Sequence, residues 1–257
     1  PWLALHLKHP LFQAPEDARK LNRMRAIYFA MMSEVDDNLG RLFAHLKLEG
    51  LWDDTLIVFT SDHGEHAGDH WLLGKAGYFD QAYAVPLIVR DPRPSADLAR
   101  GQTVRAFTEH VDIMPTLLNF AGAEAPPQCD GRSLMPFVEQ GTAPRWRTAA
   151  HWEFDFRDAS FEGVEKELGL TLHQCNLTVI RDEHFKYVHF AALPPLLFDM
   201  KNDPGEFTNL ANAESHKATA LAYAQKLLSW RLAHEDQTLT HMMATDKGMV
   251  ERPSPRF

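Results

Sequence analysis

Between Thr55 and Lys75 an apolar, β-branched run, Thr55-Leu-Ile-Val-Phe-Thr60, breaks off into the polar stretch Ser61-Asp-His-Gly-Glu-His-Ala-Gly-Asp-His-Trp-Leu-Leu-Gly-Lys75. Residues 55 to 60 read as a strand buried on both faces, which places them in a sheet covered by helices. In open α/β sheets the ligand site lies just past the carboxyl ends of the strands, and Asp62 and His63 stand there. A neighbouring carboxylate and imidazole suit one divalent cation, and Gly64 is expected to supply the backbone conformation that turns both side chains the same way. A His ligand shifts the expected ion toward manganese, with calcium or zinc as alternatives, because imidazole suits borderline metals whereas calcium takes an all-oxygen shell. Glu65, His66, Asp69 and His70 crowd the same loop. One or two of them are expected to orient ligands, and His66 is expected to face solvent.

Around this stretch the pattern alternates strand and helix. From Asp17, apolar residues such as Leu21, Met24, Tyr28, Met31, Val35 and Leu39 recur at steps of three and four, which is helix periodicity, with Gly50 as the stop. Their stripe reads as a core face, with Asp36 and Asp37 on the solvated side. Residues 84 to 90 read as a second buried strand starting near Pro86, and the strand-helix alternation suggests a mostly parallel sheet. Residues 1 to 7 also look strand-like. Asp112 is a plausible helix N-cap with Gly122 closing that helix.

Beyond a linker at 123–147 the texture changes. Residues 148–156, 177–180, 186–190 and 196–199 read as short strands, with a turn at Asp182-Glu183, followed by a helix over 214–234 carrying Leu221, Leu227, Leu228 and Leu232. Trp152, Phe154 and Phe156 alternate with acids, as a half-buried strand requires. The expected organisation is an α/β domain over 1–122, the linker, an α+β subdomain with an antiparallel sheet over 148–236, and an extended tail over 237–257 that wraps a second subunit of a homo-oligomer or frays.

Composition excludes some partners. A formal net charge of −9 argues against a nucleic-acid surface, which needs clustered Lys and Arg. No stretch of eighteen apolar residues occurs, so no membrane span is expected. Two cysteines, Cys129 and Cys175, do not make a disulfide framework, and a reducing, cytoplasmic location is expected.

The run Ser61-Asp-His-Gly-Glu65, followed by Gly68-Asp-His70 and Gly74-Lys75, resembles the second metal-binding segment of type I sulfatases in the alkaline phosphatase superfamily. It is most similar to the phosphonate monoester hydrolase branch, which carries Asp-His where many sulfatases carry Asp-Asn. Val85-Pro-Leu-Ile88, Asp112-Ile-Met-Pro-Thr-Leu-Leu118, Cys129-Asp-Gly131 and Leu197-Phe-Asp-Met-Lys-Asn-Asp-Pro-Gly-Glu-Phe-Thr-Asn-Leu210 follow in the family's order. The resemblance implies an alkaline phosphatase-like sandwich and hydrolysis of a small anionic phosphonate, phosphate or sulfate ester. Asp62 and His63 would then hold one metal ion, with Lys75 on an oxygen of the transferred group, where an ammonium offsets charge that builds up in the transition state. It also implies a nucleophile in a Cys/Ser-x-Pro-x-Arg motif, often a formylglycine. No such motif occurs here, and neither Cys129 nor Cys175 matches it, so the nucleophile is expected outside this chain. An arylsulfatase, a phosphodiesterase, a two-metal phosphatase relative and a noncatalytic degenerate domain are the alternative readings.

Overall fold

A computed structural model describes residues 1–126, 128–157, 163–234 and 242–251, without the side chains of 164, 242–244 and 251. The chain divides into two units, Pro1–Phe107 with Pro136–Ala211, and Thr108–Met135 with Asn212–Phe257.

In the first unit Asp17 starts the long helix α2 (Ala18–Leu48) by accepting the amide of Arg19 at 2.8 Å, leaving α1 for the short N-terminal helix Trp2–His6. Gly50, at φ 68°, follows the helix end in the left-handed region where glycine is strain-free. The boundaries agree with the sequence reading, but the burial does not. No residue of α2 is buried, and Met24, Phe29, Met31, Met32 and Val35 are exposed. Periodicity shows that a helix has an apolar face; a second surface is needed to bury it. The strand expected over residues 1 to 7 is α1 instead. Its Trp2 is buried with ring contacts to Tyr78 and Phe154, so packing of one indole decides a segment whose alternation is ambiguous.

Strand β1 (Ile57–Thr60) pairs with β2 (Leu87–Arg90), which begins directly after Pro86. The pairing is antiparallel, with Thr60 opposite Leu87 and Ile57 opposite Arg90. Every strand pair among the described residues is antiparallel, so the parallel pairing expected here is not present within them. The reason lies in the connection: the loop leaves and re-enters the pair at one end, which yields antiparallel neighbours. Neither strand is fully buried, and Ile88 is 61% exposed, against the expectation of strands covered on both faces.

The second sheet is built as its alternation predicts. β3 (Ala149–Asp155), β4 (Asn176–Asp182), β5 (Phe185–Phe190) and β6 (Leu196–Asp199) pair in that order. Asp182 closes the β4–β5 turn by accepting the amides of His184 and Phe185 through Oδ1. Leu177, Val179, Val188 and Phe190 join Trp2, Leu72, Tyr78 and Phe79 in one core. Each such side chain contributes about 1.5–3 kcal/mol by leaving water. The single-turn helix α3 (Asp80–Tyr83) precedes β2. Residues expected as linker include α5 (Met135–Gln140), and α6 (Val164–Leu168) lies between β3 and β4; α4 belongs to the other unit.

In the second unit Asp112 is fully buried, with Oδ1 accepting the Arg132 amide at 2.8 Å and Oδ2 the Glu109 amide at 2.9 Å. It stands at the N-cap position of α4 (Ile113–Phe120), but its carboxylate makes no capping bond to that helix, contrary to expectation. A Cβ on Gly131 would lie 1.9 Å from the Val111 carbonyl oxygen, which explains a glycine in Cys129-Asp-Gly131. Helix α7 (Lys217–Ala233) buries Tyr223 and Leu227, whereas Leu221, Leu228 and Leu232 are exposed. Those three do not form the buried face expected of them, again because burial needs an opposing surface. Part of the expected tail is a hairpin, β7 (Met242–Thr245) with β8 (Gly248–Glu251); residues 235–241 and 252–257 lie outside the described residues.

Candidate functional site

The β1–β2 connection carries every candidate site residue, and main-chain bonds shape it. Gly64 donates its N–H to the Ala82 carbonyl at 2.8 Å, and His66 donates to the Gly74 carbonyl at 2.9 Å. Glu65 Oε1 accepts the amides of Ala67 at 3.1 Å and Gly74 at 2.5 Å. Glu65 therefore ties the loop to itself rather than orienting Asp62 or His63. Gly64 is required for a different reason from the one expected. Its φ lies outside the left-handed region, but a Cβ would sit 1.9 Å from the Gln81 carbonyl oxygen. Only a residue without a side chain allows α3 to approach the turn so closely.

Asp62 and His63 project together at the end of β1. Asp62 Oδ2 lies 3.4 Å from His63 Nε2, and Asp62 Oδ1 accepts the His63 amide at 3.0 Å. The other ring nitrogen, Nδ1, is 2.7 Å from the Gly64 carbonyl. A carbonyl only accepts, so Nδ1 donates to it, and Nε2 is the ring nitrogen that faces the carboxylate. Two ligands bound at about 2.1 Å to one ion stand about 3.4 Å apart at the tetrahedral angle and about 3.0 Å apart at the octahedral one. The pair thus fits a shared cation in donor type and separation. Burial pulls the Asp62 carboxyl upward, but the His63 amide and the nearby charges of His63 and Lys75 outweigh it and hold the group below its ordinary value. Among the described residues no group of three or more His, Cys, Asp or Glu that could hold a metal ion occurs, and the pair stands as two donors. Lys75 is exposed on the same loop, close enough for its charge to act on Asp62.

His66, expected in solvent, is 1% exposed, because its main-chain bond to Gly74 turns the ring inward against Phe79. His70 is buried too, stacked on Phe79 with ring centroids 3.6 Å apart. Burial lowers both imidazoles, His70 to about 4, so both are neutral at pH 7. Asp69 is exposed, 3.5 Å from Arg25 of α2.

One cluster escaped the sequence reading. The ammonium of Lys186, on β5, is fully buried and contacts the Tyr78 carbonyl at 3.1 Å, Asp80 Oδ1 at 2.5 Å and Glu206 Oε1. Glu206 Oε2 accepts the Asp80 amide at 3.0 Å, and Arg181 lies 3.3 Å from Asp80 Oδ2. The partners come from segments 108 and 126 positions apart, where no local pattern can signal a meeting.

An Asp-His pair at a strand end, a lysine on the same loop and an antiparallel C-terminal sheet define a class. Residues 4–123 match the sulfatase family model, and residues 68–233, well over half of the chain, match the C-terminal model of N-sulphoglucosamine sulphohydrolase. The chain belongs to the sulfatase family of the alkaline phosphatase superfamily.

Within it, the likeness runs to phosphonate monoester hydrolases. The chain is 50% identical over 236 residues to the multifunctional alkaline phosphatase superfamily protein PehA of Trinickia caryophylli, covering 92% of this chain and 46% of that protein. The phosphonate monoester hydrolase of Agrobacterium radiobacter superposes with a TM-score of 0.84 at 52% identity, over 91% of this chain and 46% of the other. A phosphonate monoester hydrolase from Silicibacter pomeroyi superposes at 0.83 with 39% identity, over 90% and 45%. These relatives share the alkaline phosphatase-like α/β fold, and the chain spans less than half of their length.

Proposed function

We propose that this chain carries one side of the active site of a metal-dependent hydrolase acting on phosphonate, phosphate or sulfate esters. The observation that supports it is the separation of 3.4 Å between Asp62 Oδ2 and His63 Nε2, with Nδ1 tied to Gly64. Asp62 and His63 would hold a divalent ion, manganese in this reading; the imidazole donor weighs against calcium and leaves zinc as the alternative. A bound ion supplies Lewis-acid polarisation of the ester and favours the reactive form of the nucleophile. The depressed carboxyl of Asp62 keeps it anionic, and so available as a ligand, through the neutral pH range. Lys75 would bind a non-bridging oxygen of the transferred group, offsetting charge that grows in the transition state. The attacking group, a formylglycine in this reading, would come from a part of the protein outside this chain, which alone is expected to be inactive. Likeness to phosphonate monoester hydrolases and to a protein named as multifunctional supports a site that accepts more than one tetrahedral oxyanion.

The test uses the full-length protein, a panel of aryl sulfate, phosphate diester and phosphonate monoester substrates, and metal analysis. Asp62→Ala is expected to abolish turnover and lower bound metal, whereas Lys75→Ala should cut turnover by about ten- to a hundredfold at near-normal metal content. An Asp62→Ala protein that keeps both metal and turnover overturns the proposal.

A further inference from the structure

A fully buried lysine is costly unless each of its three N–H donors has an acceptor. Lys186 has three, in the Tyr78 carbonyl, Asp80 Oδ1 and Glu206 Oε1. Glu206 is itself buried and holds a backbone φ of 59°, a region that L side chains rarely adopt. Such strain persists where the surroundings over-determine it. Buried ion pairs are also poor stabilisers, since apolar replacements of similar volume often serve stability as well or better. A costly cluster therefore points to placement of a segment rather than to stability.

The segment it places is α3. Glu206 Oε2 holds the Asp80 amide, while Lys186 and Arg181 hold the Asp80 carboxylate. At the other end of this single turn, the Ala82 carbonyl accepts the Gly64 N–H, and the Gln81 carbonyl fills the space beside the Gly64 Cα. Gly64 in turn offers its own carbonyl to His63 Nδ1. An unbroken chain of direct contacts thus runs from the antiparallel sheet to the ring of His63.

We infer that Lys186, Glu206 and Asp80 are positioning residues that fix α3, so that α3 holds Gly64 and Gly64 fixes the orientation of the His63 ring. The consequence for metal binding rests on the proposed role of Asp62 and His63; the effect on Gly64 does not.

The experiment compares Lys186→Met, the shape-preserving Glu206→Gln, and the double variant Lys186→Met/Glu206→Met in the full-length protein. Amide exchange resolved at the Gly64 N–H reads its bond to Ala82 directly, and titration with Mn²⁺ alone reads the site. Lys186→Met is expected to speed Gly64 exchange by about tenfold and to weaken Mn²⁺ binding by about three- to tenfold. Glu206→Gln should shift both the same way by less. Turnover should follow as a lower kcat with KM changed less than about twofold, since the contact to the ester is untouched. The double variant should regain thermal stability once no buried charge is left unpaired, yet keep fast exchange and weak Mn²⁺ binding. If exchange and Mn²⁺ affinity recover together with the melting temperature in the double variant, the cluster serves stability alone and the inference fails. Wild-type Mn²⁺ affinity in both single variants also overturns it. Should Asp62→Ala retain its metal, the site reading falls separately, and the exchange measurement then decides: unchanged exchange in Lys186→Met sinks the brace.

Discussion

Sheet β3–β6 and helix α2 belong to one unit, yet they differ completely in burial. Val179, Val188 and Leu197 expose none of their surface, whereas the 31 residues of α2 include none that is buried. Both segments carry clear apolar periodicity. The sheet finds its opposing surface inside the chain, in Trp2, Leu72, Tyr78 and Phe79, and α2 does not find one among the described residues. The candidate site sits between these extremes. Its loop springs from the half-buried pair β1–β2, but its far limb, through α3, is fastened to the self-sufficient sheet.

Mutations can break this contrast. Val179→Asp puts an unpaired carboxylate into the sheet's core and is expected to cost on the order of 4 kcal/mol or more in denaturant melts; a stable variant would show that the sheet is not the anchor. Gly64→Ala drives a Cβ against the Gln81 carbonyl and should cost about 1–3 kcal/mol. Metal binding should weaken with it. A neutral result in both would mean that α3 does not press on the turn.

Acid should act on the fastened limb. Burial, followed by the neighbouring charge of His66 and that of Lys186, outweighs Asp69 and Asp203 and lowers His70 from 6.5 to about 4. Between those values the unfolded chain binds a proton that the folded chain refuses, so stability is complete above pH 6.5 and declines as pH falls toward 4. His70→Phe, which keeps a ring to stack on Phe79, should flatten that slope in melts taken across the range. An unchanged slope would show that His70 is not the group responsible. The smallest effect is expected on α2, where Met31→Ser in the 257-residue chain should change stability by less than about 0.5 kcal/mol. A loss well above that would reveal a covered face and erase the contrast.

Much of the framework was legible because it is local. Asp17 and Gly50 bracket α2, Pro86 precedes β2, and the strands β3 to β6 with the Asp182 turn fall where alternation and turn residues put them. The turn with Asp62 and His63 stands at the end of β1, as an apolar run ending in polar residues implies. The antiparallel sheet expected of β3 to β6 formed, but other inferences that reached beyond a segment failed. Residues 1 to 7 became a helix to seat Trp2 in the core, His66 turned inward, and β2 returned antiparallel to β1. Gly64 was expected for its backbone freedom, yet it is needed because a carbonyl from 17 positions later fills the space beside it.

By itself, then, the order of residues determined, outside the first seven positions, where the main helices and strands lie and that an acid and an imidazole would share a turn, because propensity, capping and periodicity act within a few residues. Only the folded chain decided which apolar faces are covered, how β1 and β2 run relative to each other, and that a lysine on β5 would meet a glutamate and an aspartate around the brace of that turn. Those outcomes depend on surfaces brought together from distant positions, and no segment carries information about its partner's shape.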